Sequence, residues 1–177
     1  MMKKLIVFLT SIFCFITFQN SHAAKQQLQI GNVAPRFILL NQNGEPVTLS
    51  DFTGQKIALC FYPKDNTSGC LQEACSLRDD YVALQKAGIT VLGVSRGSIK
   101  SKQKFMEKNQ LPFMLLIGTK EMLKDYGVNK GFWWWTLGLP KRWTFLINEY
   151  GIIVGIIKNV DTKHHAQQIL DTFNAIK

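Results

Sequence analysis

The chain has 177 residues, 46% of them hydrophobic and 19% charged, with a formal net charge of +9. That length allows one domain with a sizeable core, and no internal repeat, low-complexity segment or Pro/Gly/Ser linker marks a second one. The lysines are scattered without a dense run, which argues against nucleic-acid binding and for solubility with weak surface attraction.

The first residues read as a targeting segment. Lys3 and Lys4 form a basic start, and Leu5–Phe18 is an apolar run of 14. A polar stretch then ends in small residues, with Ser21 and Ala23 in a cleavage pattern before Ala24. A membrane span needs ~20 apolar residues, so 1–23 is expected to be a cleaved signal peptide and not an uncleaved N-terminal anchor. The expected location is the periplasm. The domain is then 24–177, about 154 residues with a charge of about +7 once Lys3 and Lys4 are lost. Three cysteines remain, Cys60, Cys70 and Cys75, in a compartment where disulfides persist.

Along the chain, apolar runs flank Asn43-Gly44 in "RFILLNQNGEPVTL", a hairpin signal. "KIALCFY" (56–62) is a buried strand, and Cys60 within it reads as a small hydrophobe. A helix is expected from Ser68 to Ala87, closed by Gly88. "ITVLGVS" (89–95) is a second buried strand. "KSKQKFMEKNQ" is a helix stopped by Pro112, "FMLLIG" a strand and "KEMLKDYG" a short helix. "WTFLIN" (143–148) and "IIVGIIK" (152–158) form a second hairpin. Thr162–Ile176 is an amphipathic helix with Ala166, Ile169, Leu170, Phe173 and Ile176 on one side. The order implies an α/β protein with a mixed central sheet flanked by helices, a thioredoxin-like fold with an N-terminal hairpin addition.

Chemistry concentrates in "TSGCLQEAC" (67–75). At about 100° per residue, Leu71, Ala74, Leu77, Tyr81 and Leu84 form one stripe of the expected helix. Cys70 falls within its arc, in the first turn, where free N–H groups and the dipole favour an anion such as a thiolate. Five residues along a helix separate two Cα atoms by about 8–9 Å, and a disulfide needs less than ~7 Å. Cys70 and Cys75 therefore cannot bond while the helix is intact. A permanent staple and two independent thiols are the plain alternatives. The geometry favours a switch between a helix with two thiols and an unwound loop with one disulfide.

"FYPKDNTSGCLQEACSLRD" resembles the active-site segment of peroxiredoxins, in particular the Q-type or bacterioferritin comigratory protein group of AhpC/TSA-like peroxidases. The family pattern Pro-x-x-x-Thr/Ser-x-x-Cys reads here Pro63 to Cys70, and the resolving cysteine five residues on is Cys75. "KRWTFLINEYG" resembles the later segment and puts Arg142 at the active-site arginine. The resemblance spans nearly the whole of 24–177. It implies a thiol-dependent peroxidase without cofactor or metal, acting on hydrogen peroxide and organic hydroperoxides and recycled by a thioredoxin-like dithiol protein. Cys70 would be the nucleophile and Cys75 would close the disulfide. Thr67 would bond the peroxide, Arg142 would stabilise thiolate and leaving oxygen, and Pro63 would shield the sulfur. The plainer roles are helix cap for Thr67, surface ion pair for Arg142 and strand terminator for Pro63. Glu73 and Arg78 read as a surface or structural pair, and His164 and His165 as no metal site.

Two departures stand out. Ser68 occupies a position where that group most often has proline. "GFWWWTLGLP" (131–140) replaces a more polar loop, so Phe132, Trp133, Trp134 and Trp135 are candidates for contact with a hydrophobic peroxide, the reductant or a membrane surface. The competing functions are a disulfide-exchange protein, which would need an absent Cys-x-x-Cys, and a non-enzymatic binding domain using the tryptophans.

Overall fold

Strand β3 (Lys56–Phe61) divides the core in two. Ile57, Leu59 and Phe61 pack on one face of the sheet, Ala58, Cys60 and Tyr62 on the other, the two-residue alternation of a pleated strand. The computed structural model describes residues 27–129 and 138–176. The expected signal peptide and the residues Phe132, Trp133, Trp134 and Trp135 lie outside the described residues.

β3 is the central strand of a five-stranded sheet. It pairs in parallel with β4 (Ile89–Ser95), which pairs in parallel with β5 (Met114–Ile117). On its other side it pairs antiparallel with β6 (Trp143–Ile147), which continues antiparallel to β7 (Ile153–Ile157). The mixed sheet has the expected thioredoxin-like order. β1 (Ile38–Leu40) and β2 (Pro46–Thr48) form the separate hairpin. Its turn holds Gly44 at φ +81°, a conformation that glycine adopts without steric cost.

Helices α1 (Ser68–Asp79), α2 (Tyr81–Lys86), α3 (Ile99–Asn109) and α5 (His165–Ala175) contribute to the core on the Cys60 face. α4 (Lys120–Asp125) and the hairpin pack on the other face. No helix among the described residues is long and apolar enough to cross a membrane.

Three local expectations need correction. The helix expected over 68–87 breaks at Asp80 (φ −101°, ψ 15°). Asp79 and Asp80 put two carboxylates at a helix C-terminus, where the dipole opposes them, and Asp is a poor helix former. The break re-aims the chain, so Leu84 is buried while Leu71, expected in the same stripe, is exposed. The last helix begins at His165, not Thr162. Asp161 Oδ1 accepts the N–H groups of Lys163 (2.9 Å) and His164 (3.3 Å), a side-chain turn that delays the helix. Ile176 lies past the end of α5 and is exposed.

Candidate active site

Antiparallel pairing of β3 with β6 sets Phe61 opposite Trp143. The end of β3, from which the chain runs to α1, therefore meets the start of β6, and Arg142 stands one residue before that strand. The turn between β3 and α1 is pinned from beneath. Its Asp65 is buried and accepts from Tyr62 Oη (2.8 Å), Ser95 Oγ (3.2 Å), Ser101 Oγ (2.6 Å) and Lys102 Nζ (2.8 Å). Lys102 comes from α3 and is 0% exposed. Its ammonium also donates to Tyr62 Oη (3.1 Å) and closely to Ser95 Oγ. Burial alone would favour the neutral Asp65 carboxyl, but the Lys102 charge and the hydroxyl donors outweigh it and hold Asp65 below the usual range. Burial pushes the Lys102 ammonium down, partly offset by Asp65. Burial, then the Asp65 charge, push the Tyr62 phenol well up. Asn66 completes the turn at φ +59°, a conformation its short polar side chain tolerates.

Cys70 sits in the first turn of α1, 2% exposed. Arg142 Nη2 donates to its Sγ at 3.2 Å, and Arg142 Nη1 is closely paired with Glu73 Oε2. Glu73 lies one turn beyond Cys70 on the same helix face, so one guanidinium spans sulfur and carboxylate. Burial opposes the Arg142 charge, but Glu73 and Cys70 more than compensate and raise it above the usual value. Gly69 leaves room for this approach: a β-carbon there would stand 3.3 Å from Arg142 Nη2.

Glu73 is buried, which corrects its reading as a surface or structural partner of Arg78. Its Oε1 stands 3.2 Å from His165 Nδ1, and His165 Nε2 lies 3.0 Å from Thr144 Oγ1. Arg78 instead pairs with Asp79, donates to the Asn109 carbonyl (2.9 Å) and lies beside the Cys75 sulfur. Sequence reasoning missed Glu73 and His165. The stripe of α5 held the signal for the second, because His165 stands one turn before buried Ile169 on the same face.

The other candidates fall around this centre. Thr67 is the N-cap residue of α1 by position, but its exposed hydroxyl donates to the Lys64 carbonyl (3.1 Å) and not to the helix. Pro63 is half-buried at the start of the turn. Cys75 is half-buried and, like Cys60 and Cys70, a free thiol. Both Cys70 and Cys75 lie in the one continuous helix α1. Behind Cys70 is a cavity of about 10 Å³, near the least that holds one water, lined by Cys60, Tyr62, Ala74, Leu77, Phe105 and Phe113 among others. Burial pushes the Cys60 thiol up, so it stays protonated. No group of three or more His, Cys, Asp or Glu among the described residues could hold a metal ion.

Residues 30–156 match the model of the AhpC/TSA family. The chain belongs to that family. Within it the chain falls in the peroxiredoxin group of Bcp and peroxiredoxin Q. It is 39% identical over 146 residues to a protein of Coxiella burnetii named putative peroxiredoxin bcp, covering 81% of this chain and 97% of that one. Among solved structures, peroxidoxin BcpB of Mycobacterium tuberculosis superposes with a TM-score of 0.78 at 28% identity, over 85% of this chain and 99% of that one. A variant of Xylella fastidiosa PrxQ gives 0.77 at 32% identity, over 85% and 98%. The peroxiredoxin thus shares its fold over 85% of its chain with these solved relatives.

Proposed function

We propose that this peroxiredoxin reduces hydrogen peroxide and organic hydroperoxides with Cys70 as the peroxidatic thiol and Cys75 as the resolving thiol. The observation that carries the reading is the 3.2 Å bond from Arg142 Nη2 to Cys70 Sγ at the first turn of a helix. The guanidinium and the helix N-terminus both favour a thiolate.

The thiolate attacks one peroxide oxygen and the O–O bond breaks. The departing oxygen leaves as water or alcohol after taking a proton, and Cys70 becomes a sulfenic acid. Arg142 stabilises charge on that departing oxygen. Thr67 turns its hydroxyl from the Lys64 carbonyl to the peroxide, and Pro63 limits water at the sulfur. The start of α1 then unwinds and Cys75 attacks the Cys70 sulfur. An S–S bond forms, the S–O bond breaks and water leaves. A thioredoxin-like dithiol protein reduces the disulfide by exchange.

Residues 1–23 are proposed as a cleaved signal peptide for the periplasm, so the domain is 24–177 and its reductant works outside the cytosol. Phe132, Trp133, Trp134 and Trp135 are proposed to rim the site for hydrophobic peroxides. Their deletion should slow a fatty-acid hydroperoxide more than hydrogen peroxide; equal losses would remove that role.

The test of the chemistry is mass spectrometry after one equivalent of hydrogen peroxide. The expected product is a single intramolecular disulfide between the peptides of Cys70 and Cys75. A bond involving Cys60, or stable sulfenic acid in the wild type, would contradict the reading.

A further inference from the structure

His165 is the first residue of α5 and is 0% exposed. An imidazole removed from water is costly unless both ring nitrogens find partners. Nε2 has one in Thr144 Oγ1 at 3.0 Å. Nδ1 faces Glu73 Oε1 at 3.2 Å, off the angle of a good hydrogen bond, and neither atom has a hydrogen-bond partner. The other carboxylate oxygen of Glu73 holds Arg142, which holds Cys70. Arg142 stands one residue before β6 and Thr144 is the second residue of that strand, and their side chains reach α1 and α5, respectively.

We propose that His165 is a positioning residue for the peroxidatic site, clamping Glu73 and through it the Arg142 guanidinium against Cys70, with Thr144 selecting the tautomer. The proposal rests on reading Cys70 as the nucleophile. With Glu73 ionised against Arg142, a lone pair on Nδ1 would oppose Oε1 across 3.2 Å of dry interior. Nδ1 therefore carries the hydrogen, and a small rotation of the ring would complete a bond to Oε1. Nε2 then accepts from the Thr144 hydroxyl. Without His165, Oε1 is a buried acceptor without a donor. The carboxylate then turns away and the guanidinium loses its second anchor.

The test uses the full chain in a Cys75→Ser background, where only the first chemical step is read. Single-turnover oxidation by hydrogen peroxide is compared with alkylation by iodoacetamide, which needs the thiolate but not the leaving-group contact. His165→Leu should lower the peroxide rate by about tenfold relative to the alkylation rate, less than direct loss of a transition-state donor costs. His165→Asn puts an amide nitrogen near the position of Nδ1 and should restore most of it. Thr144→Val should lower the ratio in the same direction. Urea midpoints report folding, and Thr144→Val carries the test should His165→Leu fail to fold. A His165→Leu ratio within twofold of the background protein, or equal losses for Leu and Asn, would overturn the proposal. If the background protein itself fails to react with peroxide while Cys70 alkylates, the peroxidase reading falls instead.

Discussion

Arg142 Nη2 donates to Cys70 Sγ across 72 positions of sequence, and the antiparallel pairing of β3 with β6 brings them together. Removal of that donor should act on chemistry more than on fold, because the Arg142 side chain is partly exposed. Arg142→Gln is expected to cost about 10²–10³ in the second-order rate with hydrogen peroxide, the range for loss of one preorganised donor. Arg142→Lys should recover only part, since an ammonium cannot span sulfur and carboxylate as a planar guanidinium does. Stopped-flow peroxide kinetics checks both.

Gly69 predicts a steric route to the same loss. Its backbone is ordinary helix, so a larger residue carries no conformational penalty of the left-handed kind. A β-branched side chain would instead push Arg142 off the sulfur from a starting separation of 3.3 Å. Gly69→Val should lower the peroxide rate by roughly tenfold or more while the urea midpoint changes little. A normal rate in a folded Gly69→Val protein would show that Arg142 has slack at this contact.

The Asp65–Lys102 pair predicts a stability effect with a definite sign. Asp65 is held below the usual carboxylate range, so its contribution is complete above its unfolded value of about 3.9 and is lost as pH falls through the folded value. Asp65→Asn leaves a buried ammonium without its counter-charge and should cost about 3–5 kcal/mol at neutral pH. Its acid unfolding should be flatter than that of the wild type. Urea titrations across the acid range measure both.

The intact helix α1 predicts motion on oxidation. Disulfide formation requires the turns between Cys70 and Cys75 to open, and α1 is tied near them to the loop before α5 by Gln72–Thr162 and to α5 itself by the Ala166 N–H to Ser76 Oγ at 3.3 Å. Amide exchange over 68–75 should be slow in the reduced protein and fast in the oxidised one. Equal protection in both states would exclude the switch even with the peroxidase intact.

Strand runs and the reactive segment were legible because they are local. "ITVLGVS" is β4 over its full length, the Asn43-Gly44 signal is a hairpin turn, and the Pro63–Cys75 pattern lies within one turn and one helix. The charged interior was not. Glu73, Lys102 and His165 look like surface residues in a linear reading, and each is buried by a partner far along the chain. Lys102 meets Asp65 across 37 positions and Arg142 meets Glu73 across 69. Periodicity reports which face a residue occupies, not which charge waits on the element opposite. The break at Asp80 was hidden for a related reason: the apolar stripe continues through it, and only the doubled aspartate hints at a stop.

The central claim is that Cys70 is the peroxidatic thiol and Cys75 resolves it. Peroxide consumption with excess dithiol reductant, for wild type, Cys70→Ser and Cys75→Ser, tests it most directly. The wild type should turn over repeatedly, Cys70→Ser should consume none, and Cys75→Ser should consume one equivalent and stop as sulfenic acid until a small thiol is added. Undiminished consumption by Cys70→Ser would contradict the account.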